Sequence, residues 1–268
     1  MTAFDDAERR MRAGTAEAYG RTYARVCAYP VPLLLDAAGV TAAVRVLDAG
    51  TGTGTVAMAA GARGATVAAV DADPDMVRLA REASSGAQVS VAALPSLPFA
   101  SGQFDAVVAN FVLNHVGRPL AALRELRRVT RPGGRVSVTI WAHPGGSGQQ
   151  LIGRAVRAAG LTRPNDVPFL APEDDFPRTA SGLAGLLAAG GLAEPSCQVV
   201  EWDHRAPADD WWSGPAAGVS LFGHLIVRQA PEKIAEIKRH FDELSGEFAT
   251  PDGMLALPHA ALVASGRA

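Results

Sequence analysis

Val46-Leu47-Asp48-Ala49-Gly50-Thr51-Gly52-Thr53-Gly54 decides the fold class of this 268-residue chain. An apolar run ends in alternating glycines, and the alanine-rich Thr55–Ala62 follows, which reads as strand, tight turn and helix. Glycine lets the backbone bend sharply and approach a ligand closely, because no Cβ intervenes. The helix start adds unpaired N–H groups and the positive end of a dipole. The three pieces together predict a nucleotide-cofactor cradle at the end of a strand.

The spacing narrows the cofactor. A dinucleotide turn reads G-x-G-x-x-G, with its pyrophosphate on the helix N-terminus. Here Gly50, Gly52 and Gly54 alternate, and Thr55 stands where the third dinucleotide glycine belongs. Asp48, two residues ahead of Gly50, would repel a pyrophosphate but suits an ammonium group. S-adenosylmethionine has an amino-acid end and no phosphate, so the chemistry leans toward it. Thr66–Val70 reads as the next strand and ends in Asp71, 21 residues after Gly50, where an acid accepts hydrogen bonds from ribose hydroxyls. NAD enzymes use the same device, so Asp71 does not discriminate between the cofactors. Asp73-Pro74-Asp75 reads as a helix cap, with Met76, Val77, Leu79 and Ala80 on the apolar face behind it.

From Val44 to Trp141 the chain resembles the class I S-adenosylmethionine-dependent methyltransferases. Val46–Gly54 is similar to their first motif and Val67–Asp71 to their second. Leu97-Pro98-Phe99 with Phe104-Asp105-Ala106-Val107-Val108 resembles their approach to the fourth strand. Leu123–Val129 with Arg131-Pro132-Gly133-Gly134 resembles the helix and turn before the fifth. The resemblance implies an α/β fold: a doubly wound, mostly parallel seven-stranded Rossmann-like sheet. It also implies S-adenosylmethionine as cofactor, S-adenosylhomocysteine as product, and contacts from Gly50, Thr51, Gly52, Gly54, Asp48, Asp71, Ala72, Met76, Ala93, Leu94, Asn110 and Phe111. One departure stands out. Many relatives carry an aspartate four residues before Leu-Pro-Phe, against the adenine amino group, and here that position is Ala93. Weaker adenine binding, or a replacement contact, is the expectation.

Composition bounds the rest. The net charge is −2, so no global basic field exists for nucleic acid. Of the 25 basic residues only Lys233 and Lys238 are lysines, an arginine and alanine bias typical of a GC-rich genome. Arg124, Arg127, Arg128 and Arg131 recur at helical spacing and read as a solvated helix face. Methyltransferases acting on amino groups of DNA or protein glutamine usually carry Asn/Asp-Pro-Pro-aromatic after strand four. This chain has Asn110-Phe111-Val112-Leu113 instead, which argues against a nucleic-acid substrate. Tyr19, Tyr23 and Tyr29 all precede the glycine turn and no lysine precedes Lys233, which excludes the Tyr-x-x-x-Lys chemistry of short-chain dehydrogenases. No apolar run reaches the roughly 18 residues of a membrane span, and no signal-peptide core opens the chain. Cys27 and Cys197 lack metal or redox spacing and read as thiols of a reducing, cytoplasmic protein. The expected partner is a small-molecule substrate, with no nucleic acid or membrane, and the protein is a monomer or homodimer.

Around the glycine turn the elements alternate. Phe4–Ala28 reads as helical with breaks at Gly14 and Gly20, and Pro30–Ala38 as a short helix. Strands at Ala43–Ala49, Thr66–Val70, Gln88–Ala92, Phe104–Ala109 and Gly134–Trp141 alternate with helices at Asp75–Ala83 and Pro119–Thr130, the pattern of a parallel sheet. Helices at Gln149–Ala159 and Ser181–Ala189 follow, and Gln198–His204 with Leu257–Ala264 close the sheet as a hairpin. The fifty or so residues between these last strands, including a helix at Pro231–Ser245, are too long for a turn. The expected organisation is an N-terminal helical cap (1–40), a cofactor-binding core (41–206 and 257–268) and a lid insertion over the substrate (207–256).

The catalytic candidates are sparse. His115 leads as a general base, because it follows strand four on the loop that should face the transferable methyl; a loop histidine bonded to backbone is the plain alternative. His143, after strand five, is second, ahead of His224 and His240 in the insertion. Tyr23, one helical turn from Tyr19, either closes over the methionine end of the cofactor or packs on the sheet. Trp211 and Trp212 either cover a flat substrate or staple the insertion to the sheet. Asp174-Asp175 and Asp209-Asp210 have no third ligand at fixed spacing, so no metal site is expected. The leading function is methyl transfer to a small molecule, oxygen favoured over carbon or nitrogen. The alternatives are a methyltransferase-fold isomerase or cyclase and a non-catalytic binding subunit.

Overall fold

The computed structural model describes residues 2–164 and 166–268. Four helices lead the chain: α1 (Ala3–Arg12), α2 (Ala16–Arg21), α3 (Tyr23–Cys27) and α4 (Val31–Ala37). The alternating part runs β1 (Arg45–Ala49), α5 (Thr55–Ala62), β2 (Thr66–Asp71), α6 (Pro74–Ala83), β3 (Gln88–Val91), β4 (Phe104–Asn110), α7 (Pro119–Val129) and β5 (Thr130–Trp141). Then come α8 (Leu151–Ala158), α9 (Ala180–Ala189), β6 (Ala193–Ala206), α10 (Ala208–Ala216), α11 (Ser220–Ile226), α12 (Pro231–Ser245) and β7 (Leu255–Arg267).

The seven strands form one sheet in the order β3-β2-β1-β4-β5-β7-β6. β1 to β5 are parallel, and β7 runs antiparallel to both β5 and β6. The doubly wound, mostly parallel sheet expected from the sequence is the observed fold. Central strands of such a sheet are covered on both faces, which is why β1 and β4 read as near-continuous apolar runs. Leu34, Leu35, Val56 and Val77 pack on one face, Leu123, Leu126, Leu183 and Leu187 on the other. A third cluster joins Leu151, Trp211, Ile226 and Phe241 to Leu257 at the start of β7, so the helices between β6 and β7 share a core with α8.

Local chemistry explains most boundaries. Asp73 caps α6 through the Asp75 amide at 2.8 Å, and Pro74 occupies the first turn, where no amide is needed. Two expectations shift. The break placed at Gly20 falls at Thr22, whose hydroxyl bonds back to the Ala18 carbonyl at 2.7 Å, while Gly20 lies inside α2. β6 and β7 extend well beyond Gln198–His204 and Leu257–Ala264, because antiparallel pairing continues from Ala193↔Arg267 to Ala206↔Leu255. No helix is long and apolar enough to cross a membrane among the described residues.

Candidate active site

A crevice of about 570 Å³ opens at the carboxyl ends of β1, β2 and β4. Ligands of open parallel sheets bind at this edge, beside the switch in strand order between β1 and β4. Gly50, Gly52 and Gly54 all have positive φ, +78°, +54° and +90°. A Cβ at Gly50 would collide with Val112 Cγ2, so only glycine lets the turn lie against the segment after β4. Gly54 caps α5, and Asp71 fixes the turn from the next strand. Its Oδ2 accepts the Gly52 amide at 2.8 Å and its Oδ1 the Asp73 amide at 3.0 Å. Burial raises the Asp71 pKa, opposed by these two amides and by the Arg12 charge.

The crevice gathers most of the residues expected there. Gly50, Gly52, Asp71, Ala72, Met76, Ala93, Leu94, Asn110, Phe111, Tyr23 and His115 all line it. Asp48, Thr51, Gly54 and His143 do not. Asp48 lies behind the turn, because side chains alternate along β1 and it shares the face of Val46, under α5. It is fully buried; Oδ2 accepts the Thr51 hydroxyl at 2.6 Å and Oδ1 has no partner among the described residues. Burial pushes its pKa up to about 7, with the Asp71 charge adding to the rise and the Thr51 bond opposing it. His143 donates its amide to the Arg178 carbonyl at 2.9 Å, beyond the end of β5. Trp141 at that strand end is the residue that reaches the crevice.

Asn110 and Phe111 are held by the neighbouring strand. Thr139 Oγ1 donates to Asn110 Oδ1 at 2.6 Å, and Asn110 Nδ2 donates to the Cys27 carbonyl at 2.9 Å. Phe111 has φ +55°, a strained value for an aromatic residue. Its amide donates to Thr139 Oγ1 at 2.8 Å and its ring stacks on Trp141 at 4.1 Å. Tyr23 packs on Trp211 at 5.0 Å, and burial pushes its hydroxyl up to about 12, so it remains a donor. Trp211 and Trp212 are buried off the crevice, and Trp211 packs on His204 of β6 at 5.3 Å and on His259 of β7 at 5.9 Å, which selects the staple over the substrate cover. Asp175 pairs with Arg178 and Asp209 with Lys238.

Residues the sequence reading did not single out complete the wall. Helix α1 crosses the crevice mouth. Asp5 Oδ1 accepts the Gly117 amide at 2.6 Å, and a Cβ at Gly117 would collide with Thr2 Oγ1. Glu8 Oε2 meets His115 Nδ1 at 2.8 Å and accepts from Arg12 Nη2 at 2.9 Å. Enclosure lowers the His115 pKa, the Arg12 charge lowers it further, and Glu8 works against both. Burial opposes ionisation of Glu8, but His115 and Arg12 outweigh it and hold its pKa low. An ionised Glu8 accepts only, so the neutral imidazole carries its proton on Nδ1 and leaves Nε2 as a bare acceptor. Glu8 and Arg12 sit one turn apart on α1, the only sequence signal available, and nothing local ties them to His115. Trp141 was more accessible, since a strand's carboxyl end is where such sheets place site residues.

A family model described as a methyltransferase domain matches residues 47–138. An uncharacterised protein of Mycobacterium tuberculosis (strain ATCC 25618 / H37Rv) is 30% identical over 247 residues, 88% of this chain and 86% of that one. The demethylmenaquinone methyltransferase of Renibacterium salmoninarum is 37% identical over 112 residues, 42% of this chain and 47% of that one. Among solved structures, a Thermotoga maritima SAM-dependent methyltransferase described as a possible histamine N-methyltransferase superposes with a TM-score of 0.56. The superposition covers 96% of this chain and 98% of that one at 15% identity, which shows the shared fold.

Proposed function

Because the chain belongs to the class I S-adenosylmethionine-dependent methyltransferases, we propose that the crevice binds S-adenosylmethionine and that the enzyme moves its methyl group to an oxygen of a small-molecule acceptor. The observation that carries this reading is the glycine turn with Asp71 on one wall and the Glu8–His115 pair on the other. The residues present fit the cofactor. Asp71, Asp73 and Asp75 make an acidic wall that suits a cation and repels a pyrophosphate. Asp71 would hold the ribose, Met76, Leu94 and Leu97 the adenine, and Tyr19 and Asn110 the amino-acid end. Ala93 supplies no carboxylate there, so the adenine edge is left to backbone groups.

When bound, S-adenosylmethionine supplies an electrophilic methyl on a positively charged sulfur. The chain's own residues do the rest. Phe111, Trp141 and Tyr23 exclude water from the crevice, and positioning carries much of the rate in such a displacement. His115 Nε2 takes the acceptor's hydroxyl proton, and Glu8 keeps Nδ1 protonated and faces the imidazolium that forms. A neutral imidazole in reach of the crevice supports oxygen over an already basic amine. The two unpaired cysteines, Cys27 and Cys197, support a reducing, cytoplasmic setting. The same reading has no nucleic-acid or membrane partner and a monomer or homodimer.

The test combines calorimetric titration of S-adenosylmethionine with mass-spectrometric detection of S-adenosylhomocysteine during acceptor screening. Micromolar binding with product formation is the expected result. An absence of binding would remove the reading. Acceptor turnover without S-adenosylhomocysteine would replace it with isomerase or cyclase chemistry.

A further inference from the structure

A second cavity of about 340 Å³ adjoins the crevice, and Glu8, Arg12, His115 and Ser220 line both. The proposed base therefore stands in the partition between two spaces. We propose that the second cavity receives the methyl acceptor, and that this acceptor is an apolar or aromatic acid whose monoanionic group is held by Arg163. The proposal rests on the crevice being the cofactor site.

Charge is the first argument. The wall of the second cavity carries three arginines, Arg12, Arg163 and Arg178, against two carboxylates, Glu8 and Asp175. Arg12 is paired with Glu8 and Arg178 with Asp175. Arg163 pairs with no carboxylate among the described residues, and His115 is neutral, so one positive charge is left unmatched. One excess charge matches a carboxylate monoanion better than a dianionic phosphate.

Arg163 is also built for recognition. Its Nε donates to the Val167 carbonyl at 3.0 Å and its Nη2 to the Pro168 carbonyl at 2.5 Å. Its guanidinium lies 4.0 Å over the Phe169 ring. Those contacts fix one edge and one face and leave Nη1 without a partner among the described residues. An arginine held this way is pre-organised for a carboxylate and loses little side-chain entropy on binding one. Partial burial disfavours its charge, and an incoming anion would relieve that cost.

Two independent features mark the same space. Asn114 lines it, and its buried Nδ2 has no hydrogen-bond partner among the described residues. Phe169 is 75% exposed, the most exposed of the large apolar side chains among the described residues, at a rim it shares with Leu170 and Leu221. A docked apolar body would cover it. Phe4 and Met11 of α1 continue the apolar wall toward His115.

The test uses the full chain and a matched pair of probes, naphthalene-2-carboxylate and naphthalene-2-carboxamide, titrated by calorimetry in the presence of S-adenosylhomocysteine. The acid is expected to bind at least about tenfold more tightly than the amide. Arg163→Met should erase that preference, and Arg163→Lys, which keeps the charge without the fork, should retain part of it. Affinity for S-adenosylmethionine should stay within about twofold in both variants, because Arg163 does not line the cofactor crevice. Equal affinities for the two probes, binding of neither, or a preference that survives Arg163→Met would each overturn the proposal. Loss of S-adenosylmethionine binding by the unmodified chain would instead overturn the cofactor assignment beneath it.

Discussion

Asp48→Asn isolates a titration that the fold itself imposes. The wild-type carboxyl is sealed behind the glycine turn with one oxygen unpartnered among the described residues, and its pKa is pushed from 3.8 up to about 7. In the unfolded chain it ionises at the ordinary value. From about pH 4 to 7, therefore, the folded state holds a proton that the unfolded state has released, and stability falls as pH rises through this window. Three pKa units at 1.36 kcal/mol each make the full span about 4 kcal/mol, of which about 3 kcal/mol lies between pH 5 and 8. Asparagine keeps the shape and an oxygen for the Thr51 hydroxyl but cannot ionise. Urea unfolding of the two proteins without cofactor, at about pH 5 and about pH 8, measures the difference. The variant should gain about 3 kcal/mol on wild type between these conditions. Parallel pH dependence in the two proteins would refute the reasoning, because it would show that Asp48 is ionised in the fold despite its burial. A cationic ligand bound nearby lowers the same pKa, so the proposed cofactor should bind wild type more tightly above pH 7 than below it, and Asp48→Asn should flatten that trend.

Asp71→Ala leaves the Gly52 and Asp73 amides without acceptors and removes the proposed ribose contact; calorimetry should show S-adenosylmethionine affinity falling about a hundredfold. His115→Ala should lower turnover by about 10²-fold or more with little change in cofactor affinity, once an acceptor is in hand. The acidic limb of the wild-type rate profile should lie below the ordinary histidine value of 6.5, and Glu8→Gln should move it lower still, because Glu8 is the contact that raises the His115 pKa. Gly50→Ala should reduce unfolding free energy by about 2–4 kcal/mol through the collision with Val112 and the positive φ. Adding Val112→Ala should restore part of that loss, a coupling readable by denaturant titration.

What the sequence disclosed was local. The glycine turn, Asp71 and the Asp73 cap each act within a few residues or through an adjacent strand, so spacing alone locates them. Asp48 shows where spacing misleads. Its position beside the turn suggests an ammonium contact, but strand alternation turns it behind the loop, and that is visible only once the faces of β1 are assigned by packing. Phe111 shows a different blindness, since a phenylalanine gives no sign of a left-handed backbone that Thr139 holds from the next strand. Trp211 and Trp212 had two readings of equal chemistry. His204 and His259, on the paired strands β6 and β7, provide the partners of Trp211 that decide between them. Glu8 lies 107 residues before His115. No pattern within either segment encodes the pair, because it exists only where α1 crosses the loop after β4.

That crossing links access to chemistry. α1 packs on α11 and α2 on α10, so helices from both ends of the chain close the crevice together. Gly214 of α10 permits the approach, since a Cβ there would come within 2.7 Å of Thr22 Oγ1. If α1 swings out, the Asp5–Gly117 and Glu8–His115 contacts break in the same movement. His115 then loses the carboxylate that fixes its tautomer and gains solvent, so an open crevice holds an undirected imidazole. Closure restores the carboxylate, points the bare Nε2 and excludes water at once. With α1 in place, the Glu8 contact keeps the proton on Nδ1 of His115 and leaves Nε2 free.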